Sequence, residues 1–343
     1  SPNGDERTFK STVGHISGCF PSRDASTTPK TTMRWKLIVV LVFAGILMGG
    51  GAMWLLARLR AEALLSRLPA GYLVHTGGIQ AVPSGKALYE FPRHLGAYVV
   101  AHTRDGTVWT LYQFRDDHLA VYRWSQTTRT LRPIRKIDVS RIYEHTGQFF
   151  GYRLDVSGAV MALPCSKSRG YYFLRLDGGA PATVLREFRH ARPSNQPDHF
   201  WVISGSCLCK YDAKRNLIVE KFQIPIDWAQ ETRHFDVSPN GRLMLRVRFK
   251  SRGFAGVKRT DYLFEVYDRV DNRSQAFQVS GFGSVEEVIL LNNRFALIVF
   301  GFPLMGQWEV KVLDLTTGES AIWEKHRVFR RAYRYIHGSG GAQ

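Results

Sequence analysis

Cys207 and Cys209 stand two apart in a β-rich stretch, which puts both thiols on one face of a strand. Two thiols are half of a tetrahedral metal site, and no second pair of ligands follows them at metal-site spacing. No metal is expected there. Cys165 lies upstream, and in an oxidising compartment it could bridge to Cys207 or Cys209; otherwise all three are buried free thiols. Asp155, Asp236 and Glu265 are the carboxylates that glycan hydrolysis in a funnel would need, two of them converging. Arg153, Arg246 and Arg248 are the cations that would meet an acidic ligand in the same place. A phosphate-binding Gly-Lys loop, His-Glu-x-x-His and Gly-x-Ser-x-Gly are all missing from the sequence. The 11 histidines are scattered. Catalytic, cofactor and metal residues are therefore all expected to be absent, and the chain is read as a non-enzyme.

Charge is the other chemical signal. Of 343 residues 47 are Lys or Arg and 29 Asp or Glu, a formal charge of +18. Near the end, Lys325, Arg327, Arg330, Arg331 and Arg334 alternate with Phe329, Tyr333 and Tyr335. Such a basic aromatic segment suits anionic lipid or an acidic polymer. Nucleic acid is a weak expectation, because no recognition motif accompanies the charge. Four cysteines exclude a disulfide-dense scaffold, and 44% apolar residues exclude global disorder.

These groups need elements to hold them. Residues 1–32 are rich in Ser, Thr, Gly and Pro without apolar periodicity and read as a disordered tail. From Leu37 to Ala57 there is no charged residue. A helix over this run is about 30 Å long, the thickness of a bilayer core. Trp35 and Lys36 flank one end, Trp54 and Arg58 the other, as at a membrane interface. The run continues past Gly50-Gly51-Ala52, where a signal peptidase would act, so an uncleaved signal anchor is expected over a cleaved signal peptide. Gly45 and Gly49 offer a small-xxx-small face for helix packing. Leu59, Leu64, Leu65 and Leu68 continue at helical spacing until Pro69, making residues 33–68 an anchor and stalk. A short tail before one span places the larger domain outside the cytosol.

Residues 69–324 read as one repeated all-β domain, with 325–343 as the basic tail. Short β-rich runs alternate with turn dipeptides, and the pattern restarts about every 40 to 50 residues, the period of four-stranded propeller blades. Five such units run from Gly96 to Trp323, and 72–91 adds a partial blade or a strand that closes the ring. Phe235-Asp236-Val237-Ser238-Pro239-Asn240-Gly241-Arg242-Leu243 carries a tight Pro-Asn-Gly turn. Val266-Tyr267-Asp268 and Val312-Leu313-Asp314-Leu315-Thr316-Thr317-Gly318 end a third strand. These segments resemble the repeats of TolB-like and related WD-repeat-like β-propellers. The resemblance implies a β-propeller of about five to seven blades, here preceded by a single transmembrane helix.

The expected function is a membrane-anchored propeller that serves as a non-enzymatic protein-interaction platform, an accessory subunit of a membrane complex. Two alternatives stand beside it. One is an extracytoplasmic binding or sensing module for an acidic ligand or glycan. The other is a funnel enzyme acting on glycans.

Overall fold

A computed structural model describes residues 31–75, 78–91, 108–115, 118–125, 128, 130–138, 155–165, 170–175, 184–230, 234–250, 259–302, 307–326 and 334–337. One helix opens it, α1 (Thr31–Leu65), and the rest is β. Five four-stranded antiparallel sheets follow one another along the chain, with one three-stranded sheet, giving the β-propeller that the repeat period predicted. The C-terminal strand joins the N-terminal sheet, in the order β23 (Arg334–His337), β1 (Gly71–His75), β2 (Gly78–Val82), β3 (Ala87–Glu90). The three-stranded sheet is β4 (Val108–Arg115), β5 (His118–Ser125) and β6 (Thr130–Asp138).

Four blades then come from consecutive strands. The first is β7 (Asp155–Ser157), β8 (Val160–Pro164), β9 (Tyr171–Arg175) and β10 (Val184–Arg186). The second is β11 (Ala191–Pro193), β12 (His199–Ser204), β13 (Cys207–Asp212) and β14 (Leu217–Gln223). The third is β15 (Phe235–Val237), β16 (Leu243–Lys250), β17 (Arg259–Asp268) and β18 (Arg273–Phe282). The fourth is β19 (Ser284–Leu290), β20 (Phe295–Phe302), β21 (Gln307–Asp314) and β22 (Ser320–His326). β7 touches β11, and β15 touches β19, so the first strand of each blade lies innermost.

Apolar residues fill the gaps between blades, since a sheet cannot bury both faces alone. Phe173 of β9 meets Phe200 and Tyr211 of the next blade at ring distances of 5.2 and 4.7 Å. Trp201, Leu208, Trp228, Phe235 and Met244 fill the following gap. Leu245, Phe264, Ile298 and Phe300, none measurably exposed, fill the one after.

The stalk is part of this core. Leu64 and Leu68 are buried against Leu73, Val82, Leu291 and Phe295, between the β19–β22 blade and the N-terminal sheet. Leu65 packs partly against the same cluster, and Leu59 stays exposed. α1 tightens as it ends, with Arg67 N–H bonding Leu64 O and Leu68 N–H bonding Leu65 O, and Pro69 follows.

Several expectations shift. The helix starts at Thr31, inside the stretch assigned to the tail. The basic C-terminal segment is not a free tail throughout: Lys325 lies in β22, and Arg334 opens β23, which pairs with β1 from Gly71↔His337 to Val74↔Arg334. A ring needs a strand to close it, and this segment supplies the strand beside β1 in the N-terminal sheet. Arg327, Arg330 and Arg331 lie outside the described residues, as do residues 1–30 and the side chains of Trp35, Lys36 and 41–50, including the surroundings of Gly45 and Gly49. Among the described residues no helix is long and apolar enough to cross a membrane.

Candidate functional site

The polar groups of the ring gather on its innermost strands. These strands are only three residues long in three blades, and each carries one ionised side chain inward. Arg192 on β11 is the hub. Its Nη1 donates to Asp155 Oδ2 of β7 at 3.2 Å, and its Nε lies 3.1 Å from Asp236 Oδ1 of β15. Nε and Nη2 also donate to Phe235 O at 3.1 and 2.7 Å, and Nη1 to Ala191 O at 2.9 Å. Asp236 Oδ2 then accepts the Leu290 N–H of β19 at 2.7 Å. One continuous polar belt thus ties together the inner strands of four successive blades.

Burial makes this belt consequential. The Arg192 side chain is 9% exposed, those of Asp155 and Asp236 2% and 5%. Charges out of water are tolerated only when paired and hydrogen-bonded, and the guanidinium fork satisfies several acceptors at once. Asp155 and Asp236 do converge, as the glycan-enzyme alternative required. They converge on a guanidinium, however, which stands between them and pairs with both. Below them Ser157 Oγ donates to Gln196 O at 3.1 Å, a further link between blades.

A second cluster lies away from the axis. The Arg246 guanidinium stacks 4.2 Å from the Trp228 ring and bonds Glu265 and Asp227, each at 2.6 Å. Arg248, half exposed, reaches the same two carboxylates at 3.2 and 3.1 Å. The hydrogen bond from Arg246 holds the Asp227 carboxyl below its usual range against a smaller upward push from burial. Arg246 and Arg248, the cations proposed for an acidic ligand, therefore already have two carboxylates of their own. Glu265 belongs to this cluster and not to the belt. Arg153 lies outside the described residues.

The turns repeat one design. Asp212, Asp268 and Asp314 each end the third strand of a blade and accept backbone N–H groups from the turn that follows. Arg242 bonds Asp268 at 2.9 Å, and Arg294 bonds Asp314 at 2.9 Å. Burial pushes both carboxyls up, but the arginine and the turn amides outweigh it and hold them below the ordinary value. Tyr211 and Tyr267 donate to Asn216 and Asn272, which take positive φ in the same turns. In the Ser-Pro-Asn-Gly turn, Ser238 Oγ accepts Leu243 N–H, and the Trp201 indole of the previous blade donates to Pro239 O at 3.0 Å. Gly241 has φ +72°, and a Cβ there would overlap the Trp201 ring.

Cys207 and Cys209 do share a face of β13, packed among Phe173, Phe200 and Tyr211. Cys207 and Cys209 are buried, and Cys165 is half-buried. Burial raises the Cys209 thiol above its ordinary value and keeps it protonated. Among the described residues no group of three His, Cys, Asp or Glu could hold a metal ion.

Sequence reasoning missed Arg192. Its strand, at three residues, is too short for an alternating pattern. A signal existed: aligning the two blades on Ser194 and Ser238 puts Arg192 opposite Asp236, unlike charges at one inner-strand position.

The sheets, their order and the closing strand make this chain a β-propeller, with a fold similar to that of TolB. No family model matches the chain, and no curated protein does. Among solved structures, TolB from Acinetobacter baumannii superposes with a TM-score of 0.51 at 12% identity, covering 77% of this chain and 66% of that one. A chain of a nidogen/laminin complex gives 0.46 at 10% identity over 78% and 98%. The Myceliophteria thermophila Cps50 (Swd1) propeller domain gives 0.43 at 9% over 76% and 80%. These likenesses concern the fold alone.

Proposed function

We propose that this chain is a single-span, membrane-anchored β-propeller whose rigid ring is a non-enzymatic protein-interaction platform, an accessory subunit of a membrane complex with the ring outside the cytosol. One observation carries the anchor. Ile38, Val39 and Val40 are exposed by 50, 49 and 62%, and Met53, Trp54, Leu55 and Leu56 by 51 to 70%. Successive helical residues point about 100° apart, so these side chains cover every face of α1. An apolar helical stretch whose described side chains, from Ile38 to Val40 and from Met53 to Leu56, are exposed all round suits a lipid surrounding better than water. Trp54 and Arg58 then stand where the interface would be; Arg58 pairs with Glu62 at 2.8 Å.

The platform reading is supported by the ring itself. Its buried charges are spent on one another across blades, which favours rigidity and leaves binding to the turns. The acidic-ligand reading loses Arg246 and Arg248 to Asp227 and Glu265, and the glycan-enzyme reading finds its carboxylates occupied by Arg192.

The test is extraction. The full chain is expected to stay with membranes through alkaline carbonate, to lose that attachment when residues 37–57 are deleted, and to migrate after mild detergent with a partner in fixed stoichiometry. Release by carbonate would refute the anchor. A lone chain in detergent would refute the accessory-subunit role.

A further inference from the structure

We infer that one face of the propeller, the face that carries its β2–β3 and β19–β20 turns, rests on anionic lipid headgroups through Arg60, Arg67, Lys86 and Arg294; this rests on the membrane anchor proposed above.

Antiparallel topology decides which face it is. Turns between the first and second strands of a blade, and between the third and fourth, emerge on one side of the ring. Turns between the second and third emerge on the other. β1 is the second strand of its blade, and Gly71 pairs with Val82, the residue that leads into the β2–β3 turn at 83–86. The chain therefore enters the ring on the side of that turn.

The entry is fixed rather than tethered. Leu64 and Leu68 are 3% and 5% exposed and share a cluster with Val82, Leu291 and Phe295. Trp323, packed on the same cluster, donates its indole N–H to Pro83 O at 2.9 Å and so holds the 83–86 turn beside it. Leu291 and Phe295 bracket the turn that carries Arg294, whose Nη2 bonds Asp314 at 2.9 Å while its side chain remains 44% exposed.

Length then sets the distance. The uncharged run ends at Ala57, and a helix covers the seven residues to Leu64 in about 10 Å. That is close to the depth over which a charged headgroup layer is felt at physiological salt. Arg60, Arg67 and Lys86 are exposed around the docking point. Among the described residues, the acids near the docking point are Glu62, held by Arg58, Asp314, fully buried under Arg294, and the exposed Glu319; elsewhere on this face the exposed Asp271 is held by Arg242. Cations thus outnumber accessible acids where a bilayer surface would lie, and anionic lipid attracts such a patch.

Hydrogen exchange on the full chain in nanodiscs tests this, with phosphatidylcholine alone against phosphatidylcholine containing phosphatidylserine. The turns 83–86 and 291–294 are expected to exchange about tenfold more slowly with phosphatidylserine. Gly205 and Ser206, in a turn on the opposite face, are expected to be unchanged. The triple variant Arg60→Gln, Arg67→Gln, Lys86→Gln should still incorporate but lose the difference, and so should the wild type at high salt. Equal exchange in both lipids, or protection at Gly205–Ser206 instead, overturns the inference while leaving the anchor standing. Failure of the chain to enter nanodiscs overturns both.

Discussion

Arg192 and Arg242 each grip two aspartates, and the two sites have little else in common. Arg192 is 9% exposed, and its partners Asp155 and Asp236 belong to the blades on either side. Arg242 is 40% exposed, and its partners Asp268 and Asp271 come from its own blade. The same chemistry holds the ring together in one place and trims a turn in the other. Water accounts for the difference: a solvated pair is screened and replaceable, whereas a buried pair that loses one member leaves uncompensated charge.

Removing the hub should break the comparison most. Arg192→Ala removes the cation shared by two buried carboxylates, and is expected to lower stability by about 3 to 5 kcal/mol, read by denaturant unfolding in detergent. A loss as small as that of a surface substitution would mean that the belt does not tie the blades. Leu68→Ala, an apolar cut elsewhere in the ring, should cost about 2 to 5 kcal/mol by emptying the cluster that seats α1. It should also shed the slow exchange of the 83–86 turn.

Gly241→Ala sharpens the contrast at the rim. It forces a Cβ into positive φ and against Trp201, for an expected loss of about 1 to 3 kcal/mol. Trp201→Phe keeps the ring but removes the bond to Pro239 O, an effect of about 1 kcal/mol.

Acid should separate the two arginines last and most gently. The Asp268 and Asp314 carboxyls are held below their ordinary value when folded. Their contribution is therefore fully present above about pH 4 and fades as pH falls through the lowered folded values. The double variant Arg242→Gln, Arg294→Gln should lose that contribution at neutral pH, most of it at the buried Asp314, and should flatten this acid limb of the melting-temperature profile. An unchanged acid limb would assign it to other carboxylates.

How much of this was legible beforehand follows strand length. β12, β13, β16, β20 and β21 are six to eight residues long, enough for β-branched and aromatic residues to announce them. The Ser-Pro-Asn-Gly turn and the Asp-ended third strands were equally visible, because turn chemistry is local. β11, at three residues, gave no pattern, so Arg192 went unseen. Arg246, Arg248 and Glu265 were noticed, but whether they faced a ligand or one another depended on Asp227, nineteen residues from Arg246. The closing strand was hidden for a similar reason: its partner β1 lies at the far end of the chain, and cations interleaved with aromatics look like a tail until the ring closes.

The sequence by itself determined the β period, the turn positions, the uncharged run from Leu37 to Ala57 and the basic balance, all of which depend on neighbours along the chain. Only the tertiary structure decided which charges meet. Asp155, Arg192, Asp236 and Leu290 come from four strands spread over more than a hundred residues, and ring closure alone brings them within hydrogen-bond reach. Burial then turns that proximity into a structural clasp, because a charge withdrawn from water must find its partner inside the protein.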